Sequence, residues 1–350
     1  MVHLWVRAES RPNERRVGIT PEGAARLVAK GFAVTVEDSA TRIVPAADFA
    51  HAGAAIASEG SWRDAPGDAI VFGLKELPED GTPLRHRHIM FGHAFKGQPA
   101  GQRLLRRFAA GGGTLYDLEY LVDEAGRRVA AFGYWAGYAG AAVTVLAWAA
   151  QQAGGTCPPV TVWEDAAAMR ADVAAALGPN RPDALVIGAL GRVGTGAADL
   201  CRAVGVDVTG WDMAETAHGG PFPEVLAHDL FFNCILARPG CPVFVPADAG
   251  VRPRRLTAIG DIACDPDSAF NPVPVYDRVT TWDAPVIRVA SAPPLDVMAI
   301  DNLPSLLPRE SSDDFASQLL PHLEALDALD AGVWGRAQQT YLQHRPEVNA

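Results

Sequence analysis

Three basic side chains, Lys75, His93 and Lys96, stand just beyond apolar runs that read as buried strands: "DAIVFGLKEL" and "HIMFGHAF", the second continuing into "KGQ". Parallel-sheet enzymes bind ligands beyond the carboxyl ends of their strands, so these three groups can share one cleft. Further charges follow the first strand in "RAESRPNERRVGITP", which supplies Glu9, Arg11, Glu14 and Arg16. Glu76 adjoins Lys75, and "DLEYLVDEAGRRVAAFGYW" adds Glu119, Arg127 and Arg128. Arginine grips a carboxylate bidentately through its planar fork, and glutamate can hold an ammonium. Together they suit a zwitterionic substrate with several carboxylates. Taken singly, each is more ordinarily a solvated surface charge, and His93 could equally be a satisfied core histidine. His86, His88 and His93 do not make a metal site, because they alternate faces and have no acidic ligand nearby.

A second constellation lies in "VIGALGRVGTGA", residues 186–197. Gly188, Gly191, Gly194 and Gly196 follow an apolar strand and open a helix, the arrangement in which glycines let a pyrophosphate approach main-chain N–H groups. Ala189 stands where the dinucleotide fingerprint has its first glycine, and Gly188 can take up that turn one position earlier. The next strand ends in "TGWD", placing Asp212 18 residues beyond Gly194. A carboxylate there accepts hydrogen bonds from the adenosine ribose hydroxyls and repels a 2'-phosphate, which favours NAD over NADP. A doubly wound domain whose loop merely turns tightly is the bland alternative.

The elements needed to carry both constellations are visible along the chain. Strands are expected at 3–9, 33–39, 68–77 and 88–95, with helices at 21–31 and 101–113 between them. The grammar then repeats, with "ALVIGALG" (184–191) a strand running into a glycine turn and further strands at 207–212, 229–236, 256–264 and 284–291. Such alternation implies parallel sheets covered by helices. After residue 300 only loop and helices are expected, folding back onto the first domain. The expected class is α/β, with two Rossmann-like doubly wound parallel-sheet domains separated by an active-site cleft. The substrate domain would be discontinuous, 1–132 plus 302–350, and the NAD-binding domain would be 133–301.

Composition narrows the partners. A chain of 350 residues suits two domains, and its 20% charged content fits a folded globular protein. A net charge of -11 argues against nucleic acid or an anionic membrane surface. Residues 133–152 are uncharged but dominated by Gly and Ala, so they read as a buried helix approached closely by another backbone, not a membrane span. The five cysteines show no CxxC spacing and read as reduced, mostly buried thiols; no structural metal is expected. Met1 runs straight into "VHLWVRAE" without a leader pattern, so a cytoplasmic location is the expectation.

The motifs "RAESRPNERRVGITP", "GLKELPED", "HIMFGHAFKGQ", "GGGTLYDLEYL", "GRRVAAFGYWAGYAGAA", "VIGALGRVGTGA", "HGGPF", "FFNCI" and "DNLPSLLPRE", in order from residue 7 to 310, resemble the NAD-dependent, lysine-forming saccharopine dehydrogenases of the alanine dehydrogenase and transhydrogenase fold group. The resemblance implies an oxidoreductase that turns saccharopine, NAD and water reversibly into lysine, 2-oxoglutarate and NADH by hydride transfer, imine hydrolysis and acid–base catalysis. It places Lys75 and His93 on the acid–base pair, Lys75 at the substrate amine and His93 at the water, with the reverse division open. A lysine can serve there if cations such as Arg16 and Lys96 lower its pKa. It puts Arg16, Lys96, Arg128, Glu14, Glu76, Glu119, Phe132 and Arg11 around the substrate, with Arg16 and Arg128 gripping carboxylates. Gly188, Gly191, Arg192, Val193, Gly194, Asp212, Cys234 and Asp301 would hold NAD, Asp301 approaching the nicotinamide ribose. The implied state is a monomer with small-molecule substrates. Arg11, Asn302 and Val193 stand where the family has lysine, often histidine and cysteine. Other readings are an alanine dehydrogenase-like or opine-type dehydrogenase, and a non-catalytic NAD-binding protein.

Overall fold

Runs such as "LWV", "VTV" and "IVF" are apolar or uncharged at consecutive positions, which suits strands covered by helices on both faces. In the computed structural model, which describes residues 1–11 and 13–346, they form β1 (His3–Val6), β2 (Ala33–Glu37), β3 (Ala55–Ala57), β4 (Ile70–Phe72), β5 (Arg87–Met90) and β6 (Thr114–Asp117). The chain divides into two units, Met1–Ala131 with the chain from Ser311 onward, and Phe132–Glu310. The six strands make one parallel sheet in unit 1, ordered β3-β2-β1-β4-β5-β6. The order reverses between β1 and β4, and the crevice outside the carboxyl ends at such a reversal is where these sheets take ligands. Helix α1 (Pro21–Ala29) starts on Thr20, whose hydroxyl accepts the Gly23 N–H at 3.2 Å. Helices α2 (Ala46–His51) and α3 (Pro99–Gly111) follow.

The strands are shorter than the sequence suggests. β4 covers only 70–72 of the expected 68–77, and β5 only 87–90 of 88–95. The polar residues after Phe72 and Met90 leave the sheet as loops, and those loops carry Lys75 and His93. β3 and β6 were not expected: the first is three small-to-medium residues, and the second follows three glycines, so neither leaves a strong pattern.

Unit 2 opens with α4 (Gly133–Gln152) and α5 (Ala166–Leu177). Its strands are β7 (Asp183–Ile187), β8 (Asp207–Trp211), β9 (Leu230–Asn233), β10 (Ala258–Asp261), β11 (Ile287–Ser291) and β12 (Pro294–Met298), with α6 (Arg192–Ala203), α7 (Met213–Thr216) and α8 (Pro223–Ala227) between them. The sheet order is β11-β12-β10-β9-β7-β8, parallel except for the antiparallel edge strand β11. Period-two alternation fills both faces: Ala184 and Val186 enter one core, Leu185 and Ile187 the other. The Gly/Ala-rich α4 is buried against α6, with Gly137 and Gly196 at points where a Cβ would strike the opposite helix backbone. Among the described residues no helix is long and apolar enough to cross a membrane.

Helices α9 (Pro308–Leu323) and α10 (Gly332–His344) complete the chain, α10 packing its Tyr341 into the unit 1 core beside Phe108 and Leu115. The segment 302–310 packs differently from the sequence reading, which ended the second domain at 301. Leu303, Leu306 and Leu307 lie in the core of unit 2 with α4. All five cysteines are free, and Cys157, Cys201 and Cys234 are buried.

Candidate active site

The charged residues of unit 1 form two linked clusters at the carboxyl side of the sheet. In the first, Glu14 and Arg16 are almost wholly buried and paired bidentately, Nε to Oε1 at 2.8 Å and Nη2 to Oε2 at 2.7 Å. Burial pushes the Glu14 carboxyl up, but Arg16 and Lys75 together hold it below the usual carboxylate range. Arg11 donates from Nε to Glu76 at 2.5 Å in a half-exposed pair. Burial likewise raises Glu76, and hydrogen bonds with the charges of Arg11 and Lys75 bring it down overall. The Lys75 ammonium thus acts on two carboxylates that flank it, Glu14 and Glu76.

The second cluster centres on Glu119, in the short turn after β6. Its carboxylate meets His93 Nδ1 at 3.3 Å and Lys96 Nζ at 2.8 Å. The His93 ring and then the Lys96 ammonium hold the Glu119 carboxyl down to about 2 despite burial. Lys96, expected to depress Lys75, is thereby engaged with Glu119. Arg16, expected to grip substrate, gives Nε and Nη2 of its guanidinium to Glu14, which fixes the orientation of the group. Arg128 is exposed, makes no ion pair among the described residues, and shares with Glu119 and Lys96 an electrostatic influence on Tyr120.

His93 itself is more than half exposed and sits at φ 47°, a left-handed backbone that costs a non-glycine residue about 1–3 kcal/mol. Such strain persists where the surroundings over-determine it. Here the surroundings include Asp117, fully buried at the end of β6, whose Oδ1 accepts the Glu119 N–H at 2.9 Å. Its Oδ2 lies against Gly92, directly before His93, and burial pushes the carboxyl up. Asp117 carried no sequence signal, because the strand it ends was not expected either. A cavity of about 580 Å³ is bordered by Arg11 and Glu76 of the first cluster, by His93 of the second, and by Leu77, Gln98 and Leu104.

The other two histidines of that region serve the fold. His86 Nε2 contacts the Ala65 carbonyl at 3.0 Å, and His88 is buried edge-on to Trp62 and Phe108. Among the described residues no group of three acidic, cysteine or histidine side chains could hold a metal ion.

In unit 2 the glycine loop turns tightly into the start of α6. Gly188 takes φ 89°, a conformation that favours glycine, so it makes the turn that Ala189 cannot. Gly188 and Ala189 both donate to the Trp211 carbonyl, at 2.9 and 3.0 Å, tying the loop to β8. Gly191 is the N-cap of α6 and supplies no side-chain cap, which leaves the first-turn N–H groups of Arg192, Val193 and Gly194 for a ligand. A Cβ at Gly194 would collide with the Gly188 carbonyl oxygen. Asp212, at the end of β8, accepts the Leu190 N–H at 3.1 Å, so its carboxylate is moored to the loop tip. Cys234 follows β9 across the sheet reversal; its thiol is buried and pushed up by that burial, and its N–H donates to the Ile187 carbonyl at 3.0 Å. Asp301 is exposed beyond β12, and Phe132 is the half-buried N-cap of α4. These features fit a dinucleotide.

Comparisons with known proteins show the family. The family model "Alanine dehydrogenase/PNT, N-terminal domain" matches residues 5–139. A saccharopine dehydrogenase [NAD(+), L-lysine-forming] of Schizosaccharomyces pombe is 44% identical over 357 residues, covering 97% of both chains. One from Yarrowia lipolytica is 45% identical, covering 98% of this chain and 97% of its own. The chain belongs to the lysine-forming saccharopine dehydrogenase family. A solved L-alanine dehydrogenase superposes with a TM-score of 0.68 at 18% identity, covering 98% of this chain and 94% of that one; the saccharopine dehydrogenase family thus shares that enzyme's fold.

Proposed function

We propose that this protein catalyses the reversible, NAD-dependent oxidative deamination of saccharopine: saccharopine, NAD+ and water give L-lysine, 2-oxoglutarate, NADH and a proton. The observation that carries the reading is the pair of basic groups at the ends of adjacent strands, Lys75 after β4 and His93 after β5, each with its own carboxylate partners. Relatives of that name at 44–45% identity over nearly the whole chain support it.

Bound NAD+ supplies the acceptor for the hydride leaving the glutamyl carbon that bears the secondary amine. Gly188, Gly191, Arg192, Val193 and Gly194 would hold its pyrophosphate through main-chain N–H groups, Asp212 the adenosine ribose, and Cys234 and Asp301 the nicotinamide end. Lys75, as the neutral amine, takes the proton from the substrate amine and becomes an ammonium, which frees the lone pair that forms the imine. His93 then takes a proton from water as the oxygen adds to the imine carbon. As the carbinolamine collapses, a protonated side chain returns a proton to the departing lysine nitrogen, and the C–N bond breaks. Glu119, ionised through the working pH range, keeps His93 and Lys96 oriented. Arg16 and Arg128 meet substrate carboxylates, with Arg11 beside them, while Glu14 and Glu76 hold the ammonium that Lys75 becomes.

The test follows NADH consumption with lysine plus 2-oxoglutarate, and separately with pyruvate plus ammonia. Turnover with the first pair and not the second is expected. Turnover with pyruvate and ammonia alone would replace this reading with an alanine dehydrogenase-like one.

A further inference from the structure

Lys75 is gripped through its main chain by two residues that follow β1. One carboxylate oxygen of Glu9 accepts the Leu74 N–H at 2.6 Å, and the other accepts the Lys75 N–H at 3.0 Å. Arg7 closes the opposite side: Nη1 donates to Glu9 at 3.2 Å, and Nη2 donates to the Lys75 carbonyl. The same residue is therefore held by both its N–H and its C=O. Both charged side chains are buried, 2% and 8% exposed, so neither is a solvated surface charge. Arg7 also lies across Gly73, where a Cβ would overlap its guanidinium. No side chain larger than hydrogen fits there without displacing the clamp.

A buried ion pair is a poor source of net stability, since desolvation offsets most of its attraction. What this pair achieves is directional. The loop it holds leaves a strand of only three residues, at the point where the sheet order reverses, and it carries the ammonium toward Glu14 and Glu76. A shift of about 1 Å at a reacting group can cost about 100-fold in rate.

We propose that Arg7 and Glu9 are positioning residues for Lys75, setting the main chain from which its side-chain nitrogen reaches the substrate amine. The proposal rests on Lys75 being an acid–base group. Three variants, Glu9→Gln, Lys75→Met and the double variant, separate the two ideas. Glu9→Gln is expected to lower kcat roughly 10- to 100-fold with KM for NAD+ unchanged. In the Lys75→Met background the same substitution should cost nothing further, because the group it positions is gone. Arg7→Lys, which keeps a cation beside Glu9 but removes the donor to the Lys75 carbonyl, is expected to repeat the loss and covers the case in which Glu9→Gln does not fold. Native kcat in both Glu9→Gln and Arg7→Lys would overturn the proposal. So would an equal further fall when Glu9→Gln is added to Lys75→Met, the mark of a purely structural role. Near-native kcat in Lys75→Met would instead remove the acid–base reading on which it stands.

Discussion

The glycine loop of unit 2 and the charged strand ends of unit 1 are built by different means. In unit 2 the loop from Gly188 to Gly194 works through absent side chains: a left-handed turn, a close carbonyl, and helix N–H groups left uncapped. In unit 1 the corresponding strand ends carry side chains already committed to one another, Glu14 with Arg16, Arg11 with Glu76, and Glu119 with both His93 and Lys96. A pyrophosphate is recognised by dipoles and space, which one contiguous stretch of chain can supply. Moving protons on a substrate with several charges needs opposed side chains from four strand ends, each held by a neighbour. Substitutions should therefore act differently in the two units: in unit 1 on turnover, in unit 2 on cofactor affinity.

The largest effects should come from unit 1. Lys75→Met and His93→Gln are each expected to lower kcat by about two to four orders of magnitude, with the NAD+ dissociation constant unchanged in a fluorescence titration. A parallel loss of NAD+ binding would blur the contrast between the units. Next, Gly194→Ala places a methyl group against the Gly188 carbonyl and should weaken NAD+ binding by at least about tenfold, since roughly 1.4 kcal/mol of misfit suffices; the titration that shows it should leave the melting of unit 1 unmoved. Asp212→Ala should be gentler, raising KM for NAD+ while letting NADP+ serve as a substrate, because the carboxylate that repels a 2'-phosphate is gone. Steady-state comparison of the two cofactors checks this.

The smallest effect concerns stability. His88 is buried, neither ring nitrogen has a hydrogen-bond partner, and burial, with the charge of Arg7, holds it well below the ordinary histidine range. Above pH 6.5 it is neutral whether folded or not and contributes no pH dependence. Below that, the unfolded chain takes up a proton that the folded one refuses, so stability falls as pH drops. His88→Phe should flatten the fall in melting temperature between pH 7 and pH 5, read by calorimetry. An unchanged slope would assign the acid sensitivity to other groups.

The fold and the glycine loop were legible because their signals are local. Alternating apolar runs mark the strands, and Gly188 to Asp212 carries its context within one strand–loop–helix–strand stretch. The charged cluster was legible only as candidates, because residue type and strand-end position do not reveal who pairs with whom. Thus the sequence did not reveal that Arg16 pairs with Glu14, or that Lys96 and His93 share Glu119. Arg7 left no trace at all. A lone arginine ending a strand looks like a surface charge until the fold buries it over Gly73. The strands β3 and β6 escaped for a related reason, being too short for any periodicity to register.

The most direct measurement starts from saccharopine as the only amino compound, with NAD+ and the intact protein, and quantifies all products. One NADH, one L-lysine and one 2-oxoglutarate should form for each saccharopine consumed. No NADH from saccharopine, with NADH formed instead from alanine, would contradict the account.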